Sequence, residues 1–275
     1  MPPSTPRPPL THFLCIPLVT STSRPQLQTA LQKFKASRRE NQNEKGEEKF
    51  SIPESAIRPL GTLHLTLGVM SLTTSELVRG AVELLHNLDV PSLLSPPAAG
   101  SSASESTENQ TGRKESQPLK ISLRGLHSMH TPSSTSILYT APVSSPPDTL
   151  LTLCERLRDR FTEAGFMVKE DRALKLHATV VNTVYVKGGR ERGGGRGAGG
   201  RRGGGGKGDW GRGHGKRKAK ITFDAREVME RYKDFEWMRE VRVEKVAICR
   251  MGAKRGEDGE ERYEVEAEVD VEGVV

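Results

Sequence analysis

Apolar positions recur along this chain in two rhythms. At residues 11–19, THFLCIPLV, they run almost unbroken, with β-branched and aromatic members bounded by prolines, which predicts a strand. From Pro25 to Ala36 the rhythm lengthens, and Leu27, Ala30, Leu31 and Phe34 fall at helical spacing. LHLTLGVMSL reads as a second strand. After it, Thr73-Thr74-Ser75-Glu76 forms a capping-box start to a helix whose stripe is Leu77, Val78, Ala81, Leu84, Leu85 and Leu88. The second half repeats the theme. LKISLRGLHSM and SILYTAPV predict paired strands, and Asp148 to Ala164 a helix with Leu150, Leu151, Leu153, Cys154, Leu157 and Phe161 as its apolar positions. ALKLHATVVNTVYV predicts another strand, and FDAREVMERY a helix capped by Asp224 with Glu227 three residues on. VRVEKVAICRM and RYEVEAEVDV alternate well enough to be two last strands with one wet face. The class is α+β, helices on mostly antiparallel sheet.

Three stretches break both rhythms. SRRENQNEKGEEK (37–49) is a short charged insertion, PSLLSPPAAGSSASESTENQTGRKESQP (91–118) is Ser/Pro-rich, and the tract from Lys187 to Lys220 holds 16 of the 28 glycines. None can bury enough apolar surface to offset its ordering entropy. The expected organisation is a disordered N-terminus at 1–10, then one domain over 11–272 with disordered insertions at 37–49, 91–118 and 188–219. The net charge of +7 is concentrated in the Gly/Arg tract, whose 12 Lys/Arg face only Glu191 and Asp209, so the remainder of the chain is net acidic. Three cysteines without a CxxC pair suit a reducing compartment and offer no thiol-based metal site. The apolar run Phe13–Val19 is too short to span a membrane and lacks the lead of a signal peptide. A nuclear or cytoplasmic protein with no membrane partner is expected, working as a monomer.

Two strands carry an unexpected pair. In LHLTL, His64 and Thr66 project from one face while Leu63, Leu65 and Leu67 take the other; in KLHATVVNT, His177 and Thr179 are arranged alike, with Leu176, Ala178 and Val180 opposite. A lone His in a strand is usually a satisfied core or edge residue, and Thr suits strands for its own reasons. Two copies in equivalent places of two similar halves set chemistry level with that reading, and the pattern alone does not choose between them.

LHLTLGVMSL and KLHATVVNT resemble the motifs of the two-histidine phosphoesterase superfamily, in which HxT or HxS occurs twice. The likeness is to the branch of the A-kinase-anchoring-protein 2′,5′ RNA ligase-like domain and the C-terminal domain of activating signal cointegrator 1 complex subunit 1. THFLCIPL, GFMVKEDRALKLHATVVNT and FDAREVMERYKDFEW share it, so it covers most of residues 11–252. The resemblance implies two pseudo-symmetric lobes of antiparallel sheet with outer helices around a central cleft. It also implies a substrate among RNA ends or nucleotides with 2′,5′ or 2′,3′-cyclic phosphodiesters, and partners in a nuclear transcription or repair complex. The cointegrator subunit pairs such a domain with an N-terminal RNA-binding KH module, for which a first strand near residue 11 leaves no room.

The chemistry that suits these residues is acid/base catalysis on a phosphodiester without metal or other cofactor. One neutral imidazole takes a proton from the attacking oxygen, the other gives one to the leaving oxygen, and Thr66 and Thr179 bind the non-bridging oxygens. Which of His64 and His177 is base stays open. A catalytically silent RNA- or nucleotide-binding coregulator subunit is the alternative, and a scaffold acting through the Gly/Arg tract a third. Tyr185, on the His177 side by period two, is a candidate for stacking on a base, although packing at a strand end is the commoner role. His127 and His130 lack ligand partners and suit a solvated strand end or turn. His12, His86 and His214 have no constellation, and Asn182 faces away from His177, where it would hold a neighbouring loop. Spaced RG units in the tract suit weak, salt-sensitive RNA contact.

Overall fold

The computed structural model describes residues 8–39, 52–94, 118–169, 171–186 and 221–271, and the expected N-terminal tail (to residue 7), the bulk of the first two insertions and the whole Gly/Arg tract lie outside them. Two four-stranded antiparallel sheets organise the chain. The first has the order β10-β7-β1-β2, from β1 (His12–Pro17), β2 (His64–Met70), β7 (Lys245–Arg250) and β10 (Val265–Asp270). The second has the order β5-β4-β3-β6, from β3 (Lys120–Ser128), β4 (Ile137–Ser145), β5 (Ala178–Asn182) and β6 (Glu236–Arg242). A short hairpin, β8 (Lys254–Arg255) with β9 (Glu261–Arg262), interrupts the run from β7 to β10. Two lobes of antiparallel sheet with outer helices are what the sequence predicted.

The helices follow their stripes. In α1 (Arg24–Arg39) Leu27, Ala30, Leu31 and Phe34 are all buried, and the helix packs on β6. α2 (Ser75–Asn87) starts at Thr74, whose hydroxyl accepts from the Leu77 amide at 3.3 Å, and lies against β10. α4 (Thr149–Glu163) buries Leu150, Leu153, Cys154, Leu157 and Phe161 against β2 and β4, touching both sheets. Leu77 and Leu151 are exposed instead, each at the solvent margin of its stripe. The leucines of the two sheets and of these helices form one continuous core, in which each fully buried leucine contributes about 2 kcal/mol. Phe13, Cys15, Ala247 and Cys249 form a second, smaller cluster with Val69 and Tyr263 packed against it.

Tertiary pairing corrects the sequence at five places. α1 continues through residues 37–39, and residues 91–94 belong to α3 (Val90–Leu94), with Leu93 buried, so the first residues of both expected insertions are helical. The strand expected over 173–186 is only five residues long; Asn182 turns its side chain back to accept from the Val184 amide at 3.0 Å and starts a 3-10 turn, Thr183–Tyr185. VRVEKVAICRM is not one strand: its beginning closes β6 in the second sheet, and its remainder is β7 in the first. α5 (Arg226–Arg231) is shorter than FDAREVMERY, because Phe223 exchanges backbone bonds with Thr135. Its N-cap is Ala225, and Asp224 instead accepts the Arg226 amide at 3.0 Å. Gly125, with φ 73°, permits a bulge in β3 where a Cβ would meet the Lys233 carbonyl at 2.9 Å; past the bulge His127 stands opposite Tyr139.

Candidate active site

β2 and β5 are the edge strands of their sheets, and the molecule brings these edges together. The stitch is the segment leading into β2. Ile57 bridges Val181, and the Arg58 amide donates to the Val180 carbonyl at 2.8 Å, so the approach to the first motif pairs with the strand that carries the second. Leu63, Leu65 and Leu67 are buried behind β2, Ala178 and Val180 behind β5, and His64, Thr66, His177 and Thr179 are all partly exposed on the other faces.

Both imidazoles are held by the same device. His64 Nδ1 lies 2.8 Å from the Thr62 carbonyl and His177 Nδ1 lies 2.8 Å from the Lys175 carbonyl, in each case the residue two positions earlier. A carbonyl only accepts, so Nδ1 carries the proton in each neutral ring and Nε2 is left as the basic nitrogen. The rings sense each other: the His64 pKa is held down at about 4, chiefly by burial, which the Thr62 carbonyl opposes and the charges of Arg58 and His177 reinforce. No hydrogen bond among the described residues occupies the hydroxyl of Thr66 or Thr179. Register sets Cys15 opposite Thr66 and Pro17 opposite His64 on β1, after a bulge between Leu14 and Cys15.

Several groups around the cleft have no signature in the sequence. Phe13 and Tyr263 flank His64, with ring centroids 4.7 and 5.2 Å away. Tyr263 arrives from the loop after β9, far along the chain, and burial pushes its hydroxyl up to about 12. Arg58 is 6% exposed; its guanidinium lies 3.7 Å above the Tyr185 ring and donates to the Tyr263 hydroxyl at 3.4 Å. No carboxylate neutralises it among the described residues. Beside His177 stands Tyr139, 5.5 Å away and opposite Thr179 in register. On the cluster beneath, the sulfurs of Cys15 and Cys249 are 3.8 Å apart.

The sequence-predicted residues sort accordingly. His64, Thr66, His177 and Thr179 come to one seam. Tyr185 lies in the 3-10 turn that ends the period-two alternation, and its half-exposed ring (45%) packs on Arg58, the neighbour of Tyr263. His127 is more than a turn residue, since its ring lies 5.4 Å from Tyr139 on the face that holds His177. His130 sits in the turn after β3, and His86 in the last turn of α2. His12 is buried away from the cleft, bonded to the Thr11 hydroxyl at 2.8 Å. Asn182 holds its loop, as expected. Tyr139 would have been found from parity once β4 was known to pair with β5; Arg58 and Tyr263 give no local signal. Among the described residues no three His, Cys, Asp or Glu side chains gather to hold a metal, and no helix is long and apolar enough to cross a membrane.

Comparison with known proteins places this seam in context. The family described as the AKAP7 2′5′ RNA ligase-like domain matches residues 10–271. Mouse activating signal cointegrator 1 complex subunit 1 is 28% identical over 127 residues, which is 46% of this chain and 31% of that protein, so the match spans less than a third of its length. An uncharacterized protein of Schizosaccharomyces pombe is 23% identical over 202 residues, 73% of each chain. Among solved structures, E. coli LigT complexed with 3′-AMP is similar with a TM-score of 0.45 and 15% identity, over 95% of this chain and 98% of that one. A Thermus thermophilus protein, TT0787, is similar with a TM-score of 0.46 and 16% identity, over 95% and 97%.

Proposed function

This chain belongs to the AKAP7 2′5′ RNA ligase-like domain family, and we propose that it is a phosphoesterase that cleaves 2′,5′-linked or 2′,3′-cyclic phosphodiesters of RNA ends or nucleotides with His64 and His177 as its acid/base pair. The observation that carries the reading is the repeated ring-fixing hydrogen bond, which leaves two Nε2 atoms free on adjoining strand edges. The family's name supports the linkage class.

The surroundings divide the labour. His64 is neutral at physiological pH, so its Nε2 takes the proton as water or a ribose hydroxyl attacks phosphorus. His177, the more open ring, serves as the acid and passes its Nε2 proton to the leaving oxygen. Phosphorus gains one P–O bond and loses another; His64 ends protonated and His177 neutral, and exchange with solvent resets both. Thr66 and Thr179 donate to the non-bridging oxygens, whose charge grows in the transition state. Arg58 and the charged His177 favour an anion in the seam. Once a phosphodiester is bound, its negative charge offsets the two cations that depress His64, and the basicity of that ring climbs toward the working range.

Purified protein in EDTA should cleave a 2′,5′-linked diadenosine monophosphate or a 2′,3′-cyclic nucleotide, with His64→Ala or His177→Ala each abolishing nearly all turnover. Turnover that survives the double substitution ends the proposal. The likeness to a cointegrator complex subunit extends it to a place in a multiprotein assembly of the nucleus or cytoplasm. Affinity purification of the intact chain from cells should then recover stable partner proteins, and recovery of the chain alone would remove that extension.

A further inference from the structure

Beside His64 the first sheet carries a pair of buried thiols that the phosphoester chemistry does not use. Cys15 on β1 stands opposite Ala247, and Cys249 on β7 stands opposite Phe13, so both side chains project from one face. They are diagonal neighbours across the ladder, and their sulfurs are 3.8 Å apart. The third cysteine, Cys154, is buried in α4. The pair touches the site from two directions. Cys15 faces Thr66 across β1 and β2. Phe13, the register partner of Cys249, has its ring centroid 4.7 Å from that of His64 and 4.9 Å from that of Tyr263.

The two thiols are also unlike. Their hydrogen bond holds the Cys249 thiol below its ordinary pKa and, together with burial, pushes the Cys15 thiol well above it. A Cys15 S–H donating to a Cys249 thiolate fits both shifts, and the thiolate is the form that reacts. We propose that Cys15 and Cys249 form a reversible disulfide, with a peroxide as oxidant, that switches the cleft off. The Cys249 thiolate attacks one peroxide oxygen; an S–O bond forms, the O–O bond breaks, and hydroxide leaves to take up the proton Cys249 had released. Cys15 then attacks the sulfenic acid; the S–S bond forms, the S–O bond breaks, and the Cys15 proton departs with the hydroxyl as water. The two sulfurs give up two electrons, and one peroxide becomes two waters.

A disulfide holds its sulfurs at about 2.05 Å, so β1 and β7 must draw together on this face. Phe13 then leaves its place against His64, and β2, paired to β1 at Cys15 and Thr66, follows. A displacement of about 1 Å at a catalytic group costs on the order of 10² in rate. The effect on turnover rests on the phosphoesterase reading; the bond itself does not.

The intact chain, reduced and then freed of reductant, is treated with hydrogen peroxide, unfolded in iodoacetamide and mapped by mass spectrometry. The peptides of Cys15 and Cys249 should appear joined and should separate in dithiothreitol, while Cys154 should be recovered alkylated. Turnover of 2′,5′-linked diadenosine monophosphate should fall by at least about tenfold as the bond forms and return with dithiothreitol. Cys15→Ala and Cys249→Ala should each keep their turnover in peroxide. Nitrogen-15 NMR supplies a readout that needs no turnover: the His64 ring signals should move on oxidation of the unsubstituted chain and hold still in both variants. Absence of the joined peptides overturns the switch, and this is read in the unsubstituted chain even where a variant fails to fold. A joined pair that leaves turnover unchanged overturns it too, as does an equal loss in the variants. Absent turnover by the reduced chain ends the catalytic reading instead, and the joined peptides and the His64 signals then decide the switch.

Discussion

The two histidine strands share a tripeptide pattern and a ring-fixing hydrogen bond, yet they stand in unlike surroundings. His64 opens a seven-residue strand in a sheet of four, boxed by Phe13 and Tyr263 with the Arg58 guanidinium nearby. His177 stands just before a five-residue strand, with Tyr139 at its edge and Lys175 two residues behind it. The repeated element fixes orientation and tautomer. The element that is not repeated sets protonation. A pseudo-symmetric fold can thus supply two equivalent imidazoles and make them chemically unequal through residues drawn from far along the chain, with a low-basicity ring on one side and an open ring on the other.

That contrast can be broken most forcefully at the rings themselves. His64→Ala and His177→Ala should each lower kcat/KM for a 2′,5′-linked dinucleotide by on the order of 10²–10⁴, and the double variant should fall little further, because the two act on one proton inventory. Steady-state assays in EDTA check this, and a loss below tenfold in either single variant would dissolve the pairing. Thr66→Val and Thr179→Val come next, with an expected fall of about 10² in kcat and little change in KM, since their bonds strengthen as the phosphoryl oxygens gain charge. Unequal losses would show which lobe holds the more charged oxygen.

A smaller effect separates the rings by stability. The folded chain holds the His64 pKa near 4, against an ordinary value of 6.5. Between those values the unfolded chain binds a proton that the folded ring declines, so folding stability rises with pH through this window. It is fully gained above 6.5 and lost as pH falls toward 4. Replacing His64 with Phe should flatten this slope, by about 1–3 kcal/mol over the window, in denaturant titrations at a series of pH values. His177→Phe removes only one of the charges that lower the His64 pKa and should leave most of the slope standing, because burial is the larger cause. The smallest change is expected for Arg58→Gln. Removing the cation raises the His64 pKa, so the acid limb of the kcat/KM profile moves up but stays below 6.5, because burial is the larger cause. A limb that moves down would exclude Arg58 as a source of the asymmetry.

The sequence revealed the parts of this contrast that are local. The α1 stripe of Leu27, Ala30, Leu31 and Phe34, the two outward His-Thr pairs and the pairing of β3 with β4 all follow from period and turn signals, and all are present. What it concealed depends on distant partners. Nothing in VRVEKVAICRM marks the point where the chain leaves one sheet for the other, because both pieces are equally β-forming. The packing of Tyr185 on Arg58 was hidden because Asn182 spends its side chain on the next turn and ends the alternation. Arg58 and Tyr263 carry no motif. A buried guanidinium between two phenol rings is visible only once a turn before β2, a turn after β5 and a loop after β9 have met.

The claim on which the rest depends is that two imidazoles serve one phosphate. Nitrogen-15 NMR of the histidine side chains tests it directly, by titrating the intact chain with a nucleoside 2′-monophosphate at neutral pH. The Nε2 signals of His64 and His177 should move together along one saturation curve, while both Nδ1 signals keep the character of a protonated, hydrogen-bonded nitrogen. A response from one ring alone, or two curves with different midpoints, would contradict a shared site.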